Sequence, residues 1–256
     1  RARRREERAA QPLRGCGMSR PVGPFWRYYG GKWRAAPRYP APQLETIVEP
    51  FAGAAGYACR YPWRQVILID RSPIIAGIWR FLIGSKPEDI LAIPDIPEGG
   101  TVDDLDVCQE ARWLVGFWCN NGVSAPCKSP SAWTQESETN GWRPAVSQRI
   151  ARGIQRIRHW QIIEGDYADA PDVEATWFID PPYQTKAGRH YKEQPDDFAA
   201  LGEWTKRRKG QVIACDQQGA SWLPWSSEIS ISGTVSTSEE VIYHRSWQPS
   251  LFGGAA

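Results

Sequence analysis

The chain has 256 residues, 41% hydrophobic and 23% charged, enough to bury one large core, alone or with an insertion. Its formal charge of +2 hides an asymmetry: residues 1–20 hold seven arginines against Glu6 and Glu7, which leaves the remainder slightly acidic and excludes any reading of nucleic-acid affinity from whole-chain charge. No apolar run approaches the roughly 20 residues of a membrane span and no signal peptide is visible, so the sequence predicts a soluble intracellular protein without membrane contact.

The first 17 residues are Arg- and Ala-rich, lack periodicity and precede Met18, the sole methionine; they are read as a basic extension outside the fold. Phe25-Trp26-Arg27-Tyr28-Tyr29-Gly30-Gly31-Lys32-Trp33 is a paired-glycine turn among aromatic rings. Glycine lets backbone approach a ligand closely, and Lys32 can pair with a carboxylate. Residues 45–56 read as a strand, a tight turn (Glu49-Pro50-Phe51-Ala52-Gly53-Ala54-Ala55-Gly56) and a helix start. In a Rossmann-type sheet that turn is where a nucleotide-like ligand meets the protein. Residues 66–70 are a second apolar strand ending in Asp70, where dinucleotide folds place an acid on ribose hydroxyls. Ser72-Pro73 opens a helix with Ile74, Ile75, Ile78, Trp79 and Leu82 on its apolar face.

From 84 to 142 the pattern changes. Pro87, Pro94 and Pro97 interrupt it, 113–118 read as part of a helix, and a polar loop carries Asn120, Asn121, Lys128, Trp133, Asn140, Trp142 and Arg143. Long irregular stretches inside α/β domains are usually functional or disordered, and the tryptophans favour order. Amides, aromatics and bases on one loop suit base edges and stacking, whereas a lid over a small-molecule site is the other reading. Residues 144–160 predict a helix with Val146, Ile150, Ile154 and Ile157 on one face. Arg149, Arg152 and Arg156 lie on another, a stripe suited to solvent or to phosphates. A third strand follows at 162–167, ending in Asp166-Tyr167. Six scattered cysteines form no C-x-x-C pair, and the spacing of Cys108, Cys119 and Cys127 fits no common zinc pattern, so reduced structural thiols are expected and no metal site.

Thr176-Trp177-Phe178-Ile179 is a buried strand stopped by Asp180-Pro181-Pro182-Tyr183. Prolines cannot continue a sheet ladder, so the chain leaves the strand here with carbonyls unpaired. Asp180 offers a carboxylate, Pro181 a carbonyl with no neighbouring N–H to claim it, and Tyr183 a flat face; together these suit a planar ring bearing an exocyclic amine. Beyond lie a polar run with Lys186, Arg189 and Tyr191, a helix capped by Asp196, a strand at 211–215 and a hairpin at 228–232 and 239–246. Alternating strands and helices, with three acids at strand ends, predict an α/β fold with a mixed, mostly parallel sheet and a site at its carboxyl edge.

The Tyr29-Gly30-Gly31-Lys32 segment, the Phe51-x-Gly53 turn, Gly165-Asp166 and the Asp180-Pro181-Pro182-Tyr183 motif resemble, in this order along the chain, the Dam-like DNA adenine methyltransferases over residues 28–216, the insertion apart. Ala55 departs from the family pattern where a second glycine is usual. The resemblance implies a Rossmann-like S-adenosylmethionine-dependent methyltransferase fold, with residues 18–83 and 161–256 as the catalytic domain and 84–160 as target-recognition insertion. It implies S-adenosylmethionine as cofactor, held by Tyr29, Gly30, Gly31 and Lys32 at the methionine end and by Glu49, Pro50, Phe51, Gly53, Ala54 and Gly56 along the turn. Asp70 and Arg71 are then expected at the ribose and Asp166 and Tyr167 at the cofactor adenine, with Asp180 shared between cofactor and catalysis. Asp180, Pro181, Pro182 and Tyr183 would carry methylation of an adenine amine after base flipping from double-stranded DNA. Asn120, Asn121, Lys128, Asn140, Arg143, Arg149, Arg152, Arg156, Lys186, Arg189 and Tyr191 are the expected DNA contacts. Cytosine N4 methylation, RNA methylation and a catalytically inert binding module are the alternatives. The resemblance places the protein in the cytoplasm of a prokaryotic or phage-infected cell, with target sequence, cognate restriction endonuclease and oligomeric state left open.

Overall fold

Strand β1 (Thr46–Glu49) lies between β2 (Gln65–Asp70) and β4 (Glu174–Ile179), and the whole sheet runs β3-β2-β1-β4-β5-β7-β6 in a computed structural model that describes residues 20–136, 140–192, 194–232 and 237–249. The basic extension at 1–17 lies outside these residues. β3 (Gln161–Glu164) and β5 (Lys209–Gln217) continue the parallel pairing on either side, and β7 (Thr237–Arg245) joins β5 antiparallel, with β6 (Ser227–Ser232) at the edge. This is the mostly parallel, Rossmann-like α/β arrangement that the sequence predicts, and the hairpin is where it was expected.

Side-chain alternation assigns each strand residue to one of two layers. Ala175, Trp177 and Ile179 of β4 join Val48, Ile69, Val212 and Ala214 beneath α5 (Phe198–Lys206), whose Leu201 and Trp204 close that core. Phe178 faces the other way, with Ile47, Leu68 and Ile213. There the layer is built from α1 (Pro73–Gly84), α3 (Gln109–Gly116) and α4 (Pro144–Ile154), with the short α2 (Pro87–Leu91) packed on α4. Leu114, Phe117, Trp118, Trp142, Ile150 and Ile154 are buried in one cluster with Trp26, Trp79 and the strands. The described residues of 84–160 therefore pack with α1 in one layer of the domain. Each fully buried aliphatic or aromatic side chain of this kind is worth about 1.5–3 kcal/mol.

Four boundaries differ from the sequence reading. No α-helix follows the first turn: a single 3₁₀ turn, Ala58–Arg60, takes its place, because Pro62 has no N–H and disfavours helical backbone at Tyr61. Helix α4 ends at Ile154, six residues early, and the chain turns so that Ile157 and Trp160 still reach the core. The cap of α5 is Asp197, which accepts from the N–H groups of Ala199 (2.7 Å) and Ala200 (3.1 Å), since Asp196 is engaged by Arg71 at 2.9 Å. β5 is longer than its apolar stretch because it pairs with β4 from Lys209 and with β7 out to Gln217.

Candidate active site

Strand order reverses between β1 and β4, so the loops leaving these two strands diverge and open a crevice at their carboxyl ends, the usual ligand site of such sheets. Sequence puts Glu49 at the end of one strand and Asp180 at the end of the other. Between them opens a cleft of about 930 Å³, its mouth included. Of the expected cofactor residues, Tyr29, Gly30, Gly31, Lys32, Glu49, Pro50, Phe51, Gly53, Ala54, Gly56, Asp70, Arg71, Asp166, Tyr167 and Asp180 all line it.

The turn is held by its own acid. Asp70 accepts from the Gly53 N–H and the Ser72 N–H, both at 2.9 Å, tying the first turn to the start of α1. Gly56 packs so tightly that a Cβ would meet the Trp33 N at 2.5 Å, which explains the glycine there. Ala55 is the one non-glycine among the described residues with positive φ, at 46°, a conformation that glycine adopts more readily. Asp166 caps the following 3₁₀ turn through the Ala168 N–H (3.0 Å) and pairs with Arg71 Nε at 2.5 Å. Phe51 and Tyr167 face each other with ring centroids 5.7 Å apart.

Lys32 pairs with a carboxylate, as expected, and the carboxylate is one of the chain's own. Its ammonium lies 2.8 Å from Asp180 Oδ1 and 3.7 Å from Glu240 Oε1, and donates to the Gly30 carbonyl at 3.0 Å. It therefore neutralises the chain's own motif acid and is not at the disposal of a cofactor carboxylate. Burial works against its charge, but Asp180 and Glu240 together outweigh it and hold Lys32 well above the ordinary lysine range. Asp180 is raised by burial and by Glu240, against the pull of Lys32. Its Oδ1 also accepts from the Cys215 thiol at 3.3 Å, and burial pushes that thiol up.

Tyr183 does not face the cleft as an open plate. Its hydroxyl donates to Glu240 Oε1, and Lys32 Nζ stands 4.9 Å from its ring centroid. Tyr28, Tyr29 and Tyr191 line the cleft with their rings, as do Phe51, Tyr167 and Phe178. Tyr191, expected on nucleic acid, donates its hydroxyl to the Tyr29 carbonyl (2.7 Å), because Arg71 holds Asp196 and the Gln194 carbonyl (3.0 Å) and so draws the 191–196 segment across the cleft. That segment brings Lys192, unanticipated, to the lining.

Two acids beside the site, Glu240 and Asp216, escaped the sequence, and for a third, the expected Glu49, the burial was not foreseen. Glu240, on β7, is 5% exposed and takes hydroxyl donors from both Tyr183 and Tyr39; one of two adjacent acids in a strand carries no signal of a partner 57 residues away. Glu49 is buried, accepts the Ala58 N–H at 2.6 Å, and burial first of all pushes its carboxyl up to about 8. Asp216, raised to about 6 chiefly by burial, accepts from Trp222 Nε1 (2.7 Å) and the Gln184 N–H (3.3 Å) and so fixes the chain just after the motif.

The expected DNA contacts scatter. Arg149, Arg152 and Arg156 do not form one stripe: α4 ends before Arg156, whose Nη1 reaches the Pro21 carbonyl (3.5 Å). Arg149 turns inward to the Pro24 carbonyl (2.7 Å), and Arg152 bonds back to Gln148 (3.2 Å). Asn140 donates to the Trp133 carbonyl (3.0 Å), Asn120 accepts the Asn121 N–H (2.8 Å), Lys128 pairs with Asp103 (2.6 Å) and Arg143 lies 3.9 Å from Asp95. Lys186 and Arg189 are exposed on a 3₁₀ turn after the motif. Among the described residues no three His, Cys, Asp or Glu side chains converge to hold a metal ion.

No protein-family profile and no curated protein sequence matches the chain. Among solved structures it is similar to the rRNA methyltransferase AviRa from Streptomyces viridochromogenes, in two structures with 16% and 15% identity, 90% of each chain covered and TM-scores of 0.36 and 0.38. It is also similar to a conserved hypothetical protein of Streptococcus pyogenes, at 12% identity over 78% of this chain and 84% of that one, with a TM-score of 0.34. Likenesses this remote leave function to be argued from the site.

Proposed function

We propose that the protein transfers a methyl group from S-adenosylmethionine to the exocyclic N6 amine of an adenine drawn out of duplex DNA. The observation that carries this reading is one cleft at the strand-order reversal in which the Asp70 turn, Asp166 and the acid of Asp180-Pro181-Pro182-Tyr183 all meet. The residues present fit the cofactor: Asp70 ends β2 and lines the cleft, where a carboxylate suits ribose hydroxyls. Phe51 and Tyr167 offer apolar ring surface beside Asp166, an acceptor suited to an adenine amine, and Lys192 brings a cation for a carboxylate. When bound, S-adenosylmethionine supplies an electrophilic methyl group.

The chain's own contribution is alignment. Asp180 and the Pro181 carbonyl accept the two amine protons, which points the nitrogen lone pair away from both acceptors and toward the cofactor side of the cleft. Holding the reacting groups in line and placing acceptors where the nitrogen gains positive charge are the two largest effects available to such a site. Lys32 keeps Asp180 ionised within a buried setting, and the segment at 191–196 limits water. Asp180→Ala is expected to abolish methyl transfer to unmethylated genomic DNA while calorimetric affinity for S-adenosylmethionine changes little. Asp70→Asn is expected to weaken that affinity by about 1.5–3 kcal/mol, as for a lost bond to a charged group. Near-normal turnover of Asp180→Ala, or transfer to RNA in place of DNA, would overturn the assignment.

A further inference from the structure

Beside the cleft lies a second groove, about 1570 Å³ with its open mouth, that shares the wall formed by Tyr28, Gly31, Ala54 and Gly56. Its composition is unusual for a protein surface. Arg27, Arg34 and Arg149 line it together with Trp33, Trp118 and Trp133, and among the described residues no carboxylate does. The guanidinium of Arg27 stands 4.5 Å from the Trp133 ring and 5.2 Å from that of Trp118, and Arg149 is 5.4 Å from Trp118. Arg60 lies over Trp33 at 3.7 Å and also donates to its carbonyl at 2.7 Å, so the Trp33 ring is held in a fixed plane while half-buried. Trp26, 1% exposed and also in the lining, has an indole N–H that meets no acceptor.

Packing alone does not ask for this arrangement. Burial lowers the pKa of Arg27 and Arg149, and the neighbouring arginines lower it further, so the site holds positive charge at a cost. Such a cost is repaid by an anion, and tryptophans interleaved with guanidinium groups suit an anion that also carries aromatic rings. An acidic peptide satisfies the charge but leaves the ring faces without partners. A strand of nucleic acid satisfies both.

We infer that this groove holds a single strand of DNA, the nucleotides next to the one methylated, with phosphates on Arg34 and Arg149 and unpaired bases against Trp33 and Trp133. The inference rests on the proposed function, since a base drawn out of a duplex unstacks its neighbours beside the active-site cleft.

The test is the anisotropy of a fluorescein-labelled 12-nucleotide DNA strand across a salt series, with the full chain. Arg34 is exposed, so Arg34→Glu should leave the fold intact, as thermal unfolding will check. It is expected to lose at least tenfold in affinity and to flatten the slope of log affinity on log salt by roughly 0.7 per phosphate contact. Trp133→Ala should lose about tenfold with the slope unchanged, as for a stacked base. Lys206→Glu, the same charge change outside the groove, should bind as wild type. Wild-type affinity in both groove variants, no binding of the strand by wild type, or preference for an acidic peptide or for RNA of the same sequence would overturn the inference. Calorimetry with S-adenosylmethionine separates the two claims: groove-dependent DNA binding without cofactor binding overturns the methyltransferase reading alone.

Discussion

Asp180 sits in a set of charges that the motif by itself does not announce. One ammonium, Lys32, serves two carboxylates, 2.8 Å from Asp180 and 3.7 Å from Glu240, and Glu240 is also the acceptor for Tyr183. Because burial and Glu240 raise Asp180, removing the charge of Glu240 lowers the pKa of Asp180. In the proposed methyl transfer Asp180 acts as a carboxylate, so Glu240→Gln is expected to move the acid limb of the pH–rate profile to lower pH. It should also lower the plateau, because Lys32 then has Asp180 as its sole carboxylate. A purely structural role for Glu240 would lower the rate and leave the limb in place. Lys32→Met would leave two buried carboxylates without a cation, a change that costs about 3–5 kcal/mol in comparable buried pairs, so Glu240→Gln is the more informative variant.

At the level of the element, the first turn places an alanine, Ala55, in left-handed backbone. A left-handed residue costs an alanine about 1–2 kcal/mol relative to the right-handed region, while glycine loses more freedom on folding. The first effect is the larger, so Ala55→Gly is expected to stabilise the fold by about 0.5–1 kcal/mol, read by urea unfolding. The turn needs no helix after it to stay in shape. Asp70 fixes it at Gly53, Gly56 allows Trp33 to press against it, and the 3₁₀ turn at Ala58–Arg60 lets Glu49 accept the Ala58 N–H. In α4 the apolar spacing of Val146, Ile150 and Ile154 holds as a buried face, but that of Arg149, Arg152 and Arg156 does not hold as a shared one, because the helix stops at Ile154 and Arg149 finds a backbone carbonyl inside.

The whole molecule carries a pH signature through Glu49. Its carboxyl is raised from 4.5 to about 8, first by burial and also by Asp180, so the folded state favours the protonated form. The associated stability is complete below pH 4.5 and is lost as pH rises through 8. Relative to Glu49→Gln, which keeps an acceptor for the Ala58 N–H, wild type should lose stability across that window, by on the order of a few kcal/mol. Urea unfolding of both proteins between pH 5 and pH 9 measures it, and parallel pH curves would show that Glu49 is solvated.

What the sequence determined by itself is whatever is local in the chain. Apolar runs of four to six residues marked β1, β2 and β4, prolines after Asp180 ended a strand and left acceptors at its mouth, and small residues after Glu49 required a tight turn. These marked the α/β class, and with the motif resemblance they named the expected cofactor residues that line the cleft, Lys192 apart. Tertiary structure decided what depends on chain segments meeting. The reversal of strand order between β1 and β4 placed Glu49 beside Asp180, and an antiparallel β7 brought Glu240 to Tyr183. The partner of Lys32, the inward turn of Arg149 and the place of Tyr191 on the Tyr29 carbonyl followed from packing across 100 residues or more. Spacing along a chain reports the face a side chain shares with its own element. The charge or ring it meets across the core is set by topology, and for a long flexible side chain in a buried site that meeting decides the role.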